Sequence, residues 1–510
     1  AALQQGGDGM SPTQAKRFSE RWTVVDQSPA TPSGFSATVF EEMFSGRRFL
    51  AIRGTEGFFS VDTLADAQLL FGGAARNQIV SLYNYVQRLI TPAGQPAVQV
   101  EDVAADIDPI TGHVDDPGGI RQTASVAGLG YLSDAAGITV AGHSLGGHLA
   151  AAASYLFPAL IGATYTFNAP GFSLDYAEAL LDQFPGSAAA FPAASITNLV
   201  AHAGADIIAG VGTLPGVPVR IEIENQLPNP VGNHSIVTLT DALAVYALYS
   251  ALSPLLTAAQ IGQILRSAAN THKGTLEAAL DALRKTLLGA EVAPTPEEDR
   301  DALYGDALYA HLYGLRDSAE YKALEGHAVV RLTWDKRRDE LVAAAKSDFG
   351  HFLAVKYLLP VAIEGAAGAL GGAHADLYAQ WQADAALTPE QRKRGEANFS
   401  DEYLADCAAM LAWKVKLAIE DFAITDGAYT EGPDAYFSDL GSGYRINLGS
   451  NWTNPADKPR YVFGTEQGDG VSGGSKADRL YGGGGEDVLY GFAGADRLEG
   501  NAGNDRLEGG

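Results

Sequence analysis

Short apolar runs with strand character alternate with helical segments over the first half of the chain. The strand-like runs cover residues 49–52, 138–141, 164–167 and 196–200, and helical spacing covers residues 74–90 and 146–157. Strands that alternate with helices are typical of parallel sheets, because each crossover helix returns the chain to the same edge. The pattern therefore predicts an α/β domain with a mostly parallel sheet over residues 1–260.

Strand-like runs nearly vanish between residues 261 and 440. Leucines recur at helical spacing from Leu276 to Leu287, and Gly289 follows them as a helix-ending residue. We expect a separate helical domain here, followed by a linker over residues 441–463. The most apolar stretch, residues 352–363, fits either core helices or a lipid-docking surface.

The chain from residue 464 to residue 510 repeats with a period of nine. Its clearest copy, Gly482–Tyr490, fits the nonapeptide G-G-x-G-x-D-x-U-x in full. Glycine permits the tight turns, the aspartate supplies a hard oxygen that suits calcium, and the aliphatic residue stacks into a shared core. The sequence predicts a calcium-binding parallel β-roll. The predicted metal-site residues are Asp478, Gly482, Gly483, Gly485, Asp487, Asp496, Gly500 and Asp505.

Charge and composition narrow the range of partners. The chain has 35 basic and 61 acidic residues among 510, for a net charge of -26, which argues against nucleic acid as a partner. Cys407 is the only cysteine, so an intramolecular disulfide is excluded. No apolar stretch is long and uninterrupted enough to predict a transmembrane span.

A serine nucleophile is predicted at Ser144. The segment Gly142–Gly146 fits G-x-S-x-G, directly after a strand-like run and before a helix of small residues. That order is the one a nucleophile elbow requires, because its glycines relieve crowding at a strained turn. The second match, Gly470–Gly474, lies within the nonapeptide repeats, and no helix follows it.

The catalytic acid and base should follow the nucleophile in that order along the chain. Asp206 comes after the strand-like run 196–200, where α/β sites gather at strand ends. His234 lies in a predicted loop before a helix that starts near residue 239, and it is the favoured base. His202 is the rival, although it sits at a strand end only four residues from the acid.

These motifs resemble those of class 3 (fungal-type) lipases and of bacterial lipases with nonapeptide tails. The matching segments are Arg53–Thr55, Gly142–Gly147 and Asn168–Gly171, within a resemblance over residues 35–245. The resemblance implies an α/β-hydrolase fold, a lid at residues 56–73 and an oxyanion donor at Thr55. The second oxyanion donor is the backbone N–H of Leu145, the residue after the nucleophile. The acidic tract 102–119 is predicted to be a loop, and it differs from the pattern of fungal-type lipases.

The nonapeptides themselves resemble those of RTX proteins, which Gram-negative bacteria export by a one-step secretion apparatus. The resemblance implies a secreted, extracellular protein that uses calcium, with its export signal beyond the repeats. Because the sequence ends within the repeat pattern at Gly510, we expect it to be truncated before that signal.

Together the motifs predict a secreted serine ester hydrolase that acts at a lipid interface through an acyl-enzyme. Triacylglycerol lipase is the leading interpretation, and phospholipase A is the alternative. A different class also fits the repeats, namely a calcium-dependent adhesin or membrane-lytic toxin that carries the hydrolase domain as a passenger.

Overall fold

The computed structural model divides into two compact units, residues 1–242 and residues 243–510. Residues 64–75, 230–231, 419–420 and 428–429 are described by their backbone alone. The structure describes residues 9–28, 31–54, 64–107, 113–202, 211–224, 230–268, 275–289, 292–296, 299, 306–420, 428–429, 432–449 and 455–510.

The first unit interleaves helices with strands. The helices are α1 (Pro12–Arg21), α2 (Leu64–Ile90), α3 (Leu145–Leu156), α4 (Leu174–Leu181), α5 (Pro230–His234) and α6 (Ile236–Leu252), the last of which spans the division between units. The strands are β1 (Trp22–Gln27), β2 (Ala37–Glu42), β3 (Arg48–Ile52), β4 (Pro96–Val103), β5 (Asp106–Ile107), β6 (Val114–Asp116), β7 (Gly119–Ala127), β8 (Ile138–His143), β9 (Ile161–Phe167), β10 (Ile196–Ala201) and β11 (Val217–Ile221).

A seven-stranded sheet organises this unit, in the order β1-β2-β3-β8-β9-β10-β11. Neighbouring strands pair in parallel along β3-β8-β9-β10-β11, whereas β2 pairs antiparallel with both β1 and β3. Helix α3 is buried along almost its whole length and contributes to the core. The predicted α/β architecture with a mostly parallel sheet is confirmed, and the finer assignment to the α/β-hydrolase fold stays a prediction.

The tract 102–119, which the sequence analysis interprets as a loop, instead contributes to strands. β4 and β7 form an antiparallel pair outside the main sheet, and β5 pairs with β6. Most side chains of β7 are exposed on both faces. A strand that buries neither face shows no alternation of apolar and polar residues, so the hydrophobic pattern could not reveal it.

Helices dominate the second unit up to residue 420, and strands follow. The helices are α7 (Ala258–Ala268), α8 (Thr275–Leu288), α9 (Ala307–Asp317), α10 (Ala319–Lys322), α11 (Arg338–Ser347), α12 (Phe349–Lys356), α13 (Ala367–Ala373), α14 (Ala375–Ala385), α15 (Pro389–Lys393) and α16 (Asp401–Glu420). The strands are β12 (Val329–Leu332), β13 (Val361–Glu364), β14 (Ala428–Tyr429), β15 (Ala435–Asp439), β16 (Arg445–Leu448), β17 (Arg460–Phe463), β18 (Gly470–Gly474), β19 (Arg479–Gly484), β20 (Val488–Phe492), β21 (Arg497–Ala502) and β22 (Arg506–Glu508).

The apolar stretches of this unit form its interior. The leucine stripe of α8 is buried, and so is every residue of α12 together with most of β13. Cys407 is buried as well. Of the two interpretations of residues 352–363, core packing is therefore the one that fits the structure.

Two boundaries differ from the expected ones. The compact units divide after residue 242, whereas the sequence pattern places the end of the first domain at 260. β16 and β17 lie within the expected linker 441–463, and β17 pairs in parallel with β19 of the repeats. Burial drives this extension, because Val462 adds one more aliphatic layer below the first nonapeptide.

The nonapeptides form two parallel stacks of strands. β17, β19 and β21 pair in one sheet, and β18, β20 and β22 pair in the other, with partners 18 residues apart in both. One turn of this roll therefore uses two nonapeptides. Val462, Val471, Leu480, Leu489 and Leu498 pack between the sheets as one core, in the aliphatic phase that the sequence predicts.

Helix α16 packs against the roll through Asp406. Nη1 of Arg479 lies 2.9 Å from both carboxylate oxygens of Asp406, and the Tyr481 hydroxyl donates to Oδ2 at 2.6 Å. Tyr481 is fully buried, so its hydroxyl depends on this carboxylate. The roll and α16 are consequently joined by charge-assisted hydrogen bonds.

We expect Asp406→Ala to lower the free energy of unfolding of this unit by about 2 kcal/mol, because it leaves the buried Tyr481 hydroxyl without an acceptor. Glu402→Ala is the matched control. It removes a carboxylate of the same helix that pairs with Arg497 at 3.2 Å, but both side chains are about half exposed. That loss should stay below about 1 kcal/mol. Thermal unfolding in calcium measures both, and equal effects would contradict the role of Asp406.

Candidate active site and calcium-binding repeats

Ser144 occupies a strained turn between β8 and α3. Its φ of 55° and ψ of -128° lie in a region that residues other than glycine rarely adopt, at a cost of about 1–3 kcal/mol. The backbone N–H of Ser144 donates to the Phe167 carbonyl at 2.9 Å, and its own carbonyl accepts from Gly147 at 2.9 Å. Strand pairing on one side and the helix on the other therefore hold the strained backbone in place.

Close backbone contacts explain the glycines of this turn. A Cβ at Gly142 would overlap the Gly146 carbonyl oxygen, and a Cβ at Gly146 would overlap the Ile52 carbonyl oxygen at the end of β3. Any side chain at these positions would push α3 away from the sheet. This is the strand–turn–helix arrangement that the G-x-S-x-G motif predicts.

His234 lies next to this turn and is 2% exposed. Its carbonyl oxygen accepts a hydrogen bond from His143 Nε2 at 2.8 Å, and the two imidazole rings are 4.9 Å apart. Because His143 directly precedes Ser144 in the chain, this contact joins the segment of His234 to the strand end that carries the predicted nucleophile. His234 ends the short helix α5, which begins at Pro230, rather than lying in the expected loop. Proline favours the first turn of a helix.

Asn168 is a positioning residue that the residue pattern alone did not identify. It is fully buried at the end of β9, with a φ of 45°. Its amide donates to the His234 carbonyl at 3.4 Å, and its Oδ1 accepts from the Ala201 N–H at 2.8 Å. A single side chain thus ties the ends of β9 and β10 to the segment that carries His234. The available signal was its place in Asn168–Gly171, the third segment of the lipase resemblance.

His202, the alternative base, and His148 of α3 have different surroundings from those of His234. His202 Nδ1 lies 2.5 Å from Glu222 Oε1, and its side chain is 43% exposed. His148 is buried in α3 and stacks on Phe172 with ring centroids 3.9 Å apart. Burial lowers the pKa of His148 to about 4, so it stays neutral at physiological pH. His148 belongs to the first turns of α3, where its N–H donates to the Ser144 carbonyl at 3.2 Å.

The remaining predicted active-site residues divide between the described and undescribed parts of the chain. Leu145 is the first residue of α3, so its N–H belongs to the helical turn whose amides lack intrahelical acceptors. Asp206, Thr55 and the expected lid segment 56–63 lie outside the described residues, and residues 64–73 fall on the backbone of α2.

In the repeats, each aspartate carboxylate binds the backbone of the preceding turn. The Oδ1 atoms of Asp478, Asp487, Asp496 and Asp505 accept from the N–H of the residue 18 positions earlier, at 2.7 to 3.0 Å. The aspartates therefore set the spacing between successive turns of the roll, in addition to carrying charge.

The surroundings of the second carboxylate oxygen, Oδ2, differ between copies of the nonapeptide. Asp487 Oδ2 and Asp496 Oδ2 are buried and have no hydrogen-bond partner among the described residues. By contrast, Asp478 Oδ2 accepts from the Gly474 N–H at 2.6 Å. Buried carboxylate oxygens without partners are costly unless a cation binds them. Of the predicted ligands, Asp487 and Asp496 thus best fit a bound ion.

Backbone carbonyls converge on the same two oxygens. The Cβ position of Gly482 is 2.7 Å from the Gly500 carbonyl oxygen and overlaps Asp487 Oδ2. The Cβ position of Gly491 is 2.7 Å from the Gly509 carbonyl oxygen and 2.6 Å from Asp496 Oδ2. Only glycine leaves room for these oxygens to approach one another, and oxygen ligands are those calcium prefers. Gly491 was missing from the predicted set, although it follows Gly482 by nine positions.

The other predicted glycines supply the turns. Gly483 and Gly485 have φ values of 102° and 97°. The second copy departs from this pattern, because Lys476 stands where later copies have glycine. No group of three or more His, Cys, Asp or Glu side chains that could hold a metal ion occurs among the described residues. The oxygens that converge at Gly482 and Gly491 come from one carboxylate and one backbone carbonyl at each position.

Residues 472–507 match the RTX calcium-binding nonapeptide repeat, in four copies. RTX repeats bind calcium, which is the ion that the oxygens around Gly482 and Gly491 suit. They are typical of proteins secreted by Gram-negative bacteria. No curated protein matches the chain. Within the described part of the chain, no helix is long and apolar enough to cross a membrane.

Calcium should order the RTX repeats of the full chain. Burial, together with the nearby carboxylates of Asp505, Asp469 and Glu466, raises the pKa of Asp487, so the ionised carboxylates oppose folding without a cation. We expect the repeats to resist proteolysis at about 10 mM calcium and to be cleaved rapidly in EDTA. Equal protection in both conditions would contradict calcium-dependent folding.

Asp487→Asn should raise the calcium concentration at half-protection by about tenfold, since it removes charge from a buried oxygen that has no other partner. Glu486→Gln removes the same charge from an exposed neighbour and should shift the midpoint by less than about twofold. The same proteolysis titration compares the two variants. Overlapping curves would show that Asp487 is not a ligand.

Proposed function

We propose that this protein is a secreted serine hydrolase that cleaves carboxylic esters of lipids. The observation that carries the proposal is the strained backbone of Ser144 between β8 and α3, which is held by close glycine contacts. Strain of this kind concentrates at functional sites, because ordinary packing does not need it. The position of His234 beside the same turn supports a nucleophile with an adjacent base.

The reaction follows from these groups. Ser144 Oγ attacks the ester carbonyl carbon while His234 accepts the hydroxyl proton, and Asp206 orients the imidazole. The backbone N–H groups of Leu145 and Thr55 stabilise the oxyanion. The intermediate then collapses to an acyl-enzyme and expels the alcohol, which takes the proton from His234. A water molecule repeats both steps and releases the carboxylic acid. The roles of Asp206 and Thr55 come from the sequence motifs alone.

Ser144→Ala should lower ester hydrolysis by about 10³-fold or more, because the nucleophile is lost while binding groups remain. Hydrolysis of soluble p-nitrophenyl esters measures this loss. Ser472→Ala is the control, since Ser472 belongs to the second G-x-S-x-G match and lies in β18 of the roll. If activity survived in Ser144→Ala but was lost in Ser472→Ala, the assignment of Ser144 as the nucleophile would be wrong.

His234→Ala should also abolish turnover, whereas His202→Ala should keep at least about half of it. The comparison is matched, because both variants remove one imidazole from the same unit. The His234 ring lies 4.9 Å from that of His143, next to Ser144, whereas the His202 ring pairs with Glu222. The pH profile of kcat/KM gives a second measurement, since loss of a general base removes its acidic limb. An inactive His202→Ala with an active His234→Ala would reverse the assignment.

Triacylglycerol is the proposed substrate, on the strength of the class 3 lipase resemblance. Phospholipid is the alternative, and parallel assays on emulsified triglyceride and phospholipid distinguish them. Faster hydrolysis of triglyceride would support a lipase, and faster acyl release from phospholipid would assign phospholipase A activity.

The RTX repeats favour a second candidate, a calcium-dependent adhesin or membrane-lytic toxin. Repeats of this type are compatible with such proteins. Leakage of dye from vesicles in calcium separates the candidates when Ser144→Ala is compared with the unmodified chain. Leakage that persists in the variant would favour the toxin, and leakage that disappears would attribute it to hydrolysis.

A further inference from the structure

A cleft in the second unit combines an apolar floor with a cationic rim. It has a volume of about 290 Å³ and lies between the start of α11 and the middle of α16. Leu341, Leu411 and Val415 form the floor and are buried. The volume is close to the lower end of the range for small-molecule sites, about 300 Å³.

The charge of the rim is unusual for this chain. Lys336, Arg338 and Lys416 line the cleft, and none of the described residues that line it is acidic, although the protein carries a net charge of -26. Lys336 and Arg338 form no ion pair with any carboxylate among the described residues. Three cations beside one small opening favour an anionic occupant.

The two carboxylates that follow Arg338 in the chain pair with a residue outside the cleft. Asp339 and Glu340 follow Arg338 in the chain, but both pair with Arg337, at 3.0 and 3.3 Å. Arg337 does not line the cleft. The positive potential at the rim is therefore not neutralised by the acidic residues of α11.

We propose that this cleft binds an amphipathic monocarboxylate, a fatty acid of medium chain length. The alkyl chain lies on Leu341, Leu411 and Val415, and the carboxylate is held by Lys336 and Arg338. Trp334 also lines the cleft and offers an aromatic surface to the chain. Apolar burial and charge pairing are both needed, because neither a short anion nor a neutral chain uses the whole site.

The binding site is independent of the proposed hydrolase residues, which belong to the other compact unit. A fatty acid is nevertheless the product that lipid-ester hydrolysis would release. Binding is measured in the full-length Ser144→Ala variant, so its outcome does not depend on turnover. The proposed function and the proposed site can therefore fail separately.

The experiment titrates octanoate into the full chain in calcium and follows tryptophan fluorescence and binding heat. We expect a dissociation constant on the order of 10⁻⁴ M. Acetate and octanol should each bind at least tenfold more weakly, since the first lacks the chain and the second lacks the charge. Equal binding of octanol, or equal binding of acetate, would overturn the proposal.

Two variants locate the site. Ala412 lines the cleft from α16 and is exposed, so Ala412→Phe fills the cavity without disturbing the core and should abolish binding. Lys336→Gln combined with Arg338→Gln should weaken binding at least tenfold. Arg337→Gln removes the neighbouring charge and should change affinity by less than about twofold. Octanoate affinity that survives Ala412→Phe, with an unchanged melting temperature, would place the ligand elsewhere and refute the proposal.

Discussion

Contact between backbones without intervening side chains is the constraint on which the first unit depends. At the carboxyl ends of β3, β8 and β9 the chain turns back so closely that Gly142 and Gly146 face carbonyl oxygens directly. This proximity lets α3 start at Leu145 and forces Ser144 into its strained conformation. The parallel pairing of β3, β8 and β9 supplies the rigidity that maintains the strain. A flexible turn would relax it.

The roll uses glycine for a related purpose, but its driving force is electrostatic. Four repeat aspartates accept from the backbone of the preceding turn through Oδ1, and the buried Oδ2 atoms of Asp487 and Asp496 have no hydrogen-bond partner among the described residues. The apolar core of the roll is thin, with one aliphatic residue for each half-turn. A segment with so little buried area relies on calcium for much of its stability. Asp406 links that dependence to α16, because its partners Arg479 and Tyr481 lie on β19.

The acidic residues that give this chain its net negative charge have different effects in different parts of the structure. Carboxylates at calcium-binding turns are neutralised when the ion binds, whereas carboxylates on a protein surface favour its hydration. The cationic rim of the cleft near Trp334 stands out against this background. A local reversal of sign over an apolar floor is a feature of ligand recognition, since solubility alone does not require it.

The sequence by itself determined the features that depend on local spacing. The strand–turn–helix around Ser144, the leucine stripe of α8 and the nine-residue phase of the roll all follow from residues close in the chain, whose geometry fixes which side chains share a face. Tertiary structure decided what depends on distant residues. Asn168 and His143 make these contacts only when β8 and β9 meet the end of α5, and β7 buries too little to leave a pattern in the sequence. Likewise, all repeat aspartates look alike in sequence. In the folded roll, Oδ2 of Asp478 has a backbone partner at Gly474, whereas the buried Oδ2 atoms of Asp487 and Asp496 have no hydrogen-bond partner among the described residues. This difference depends on the coiled path of the whole segment.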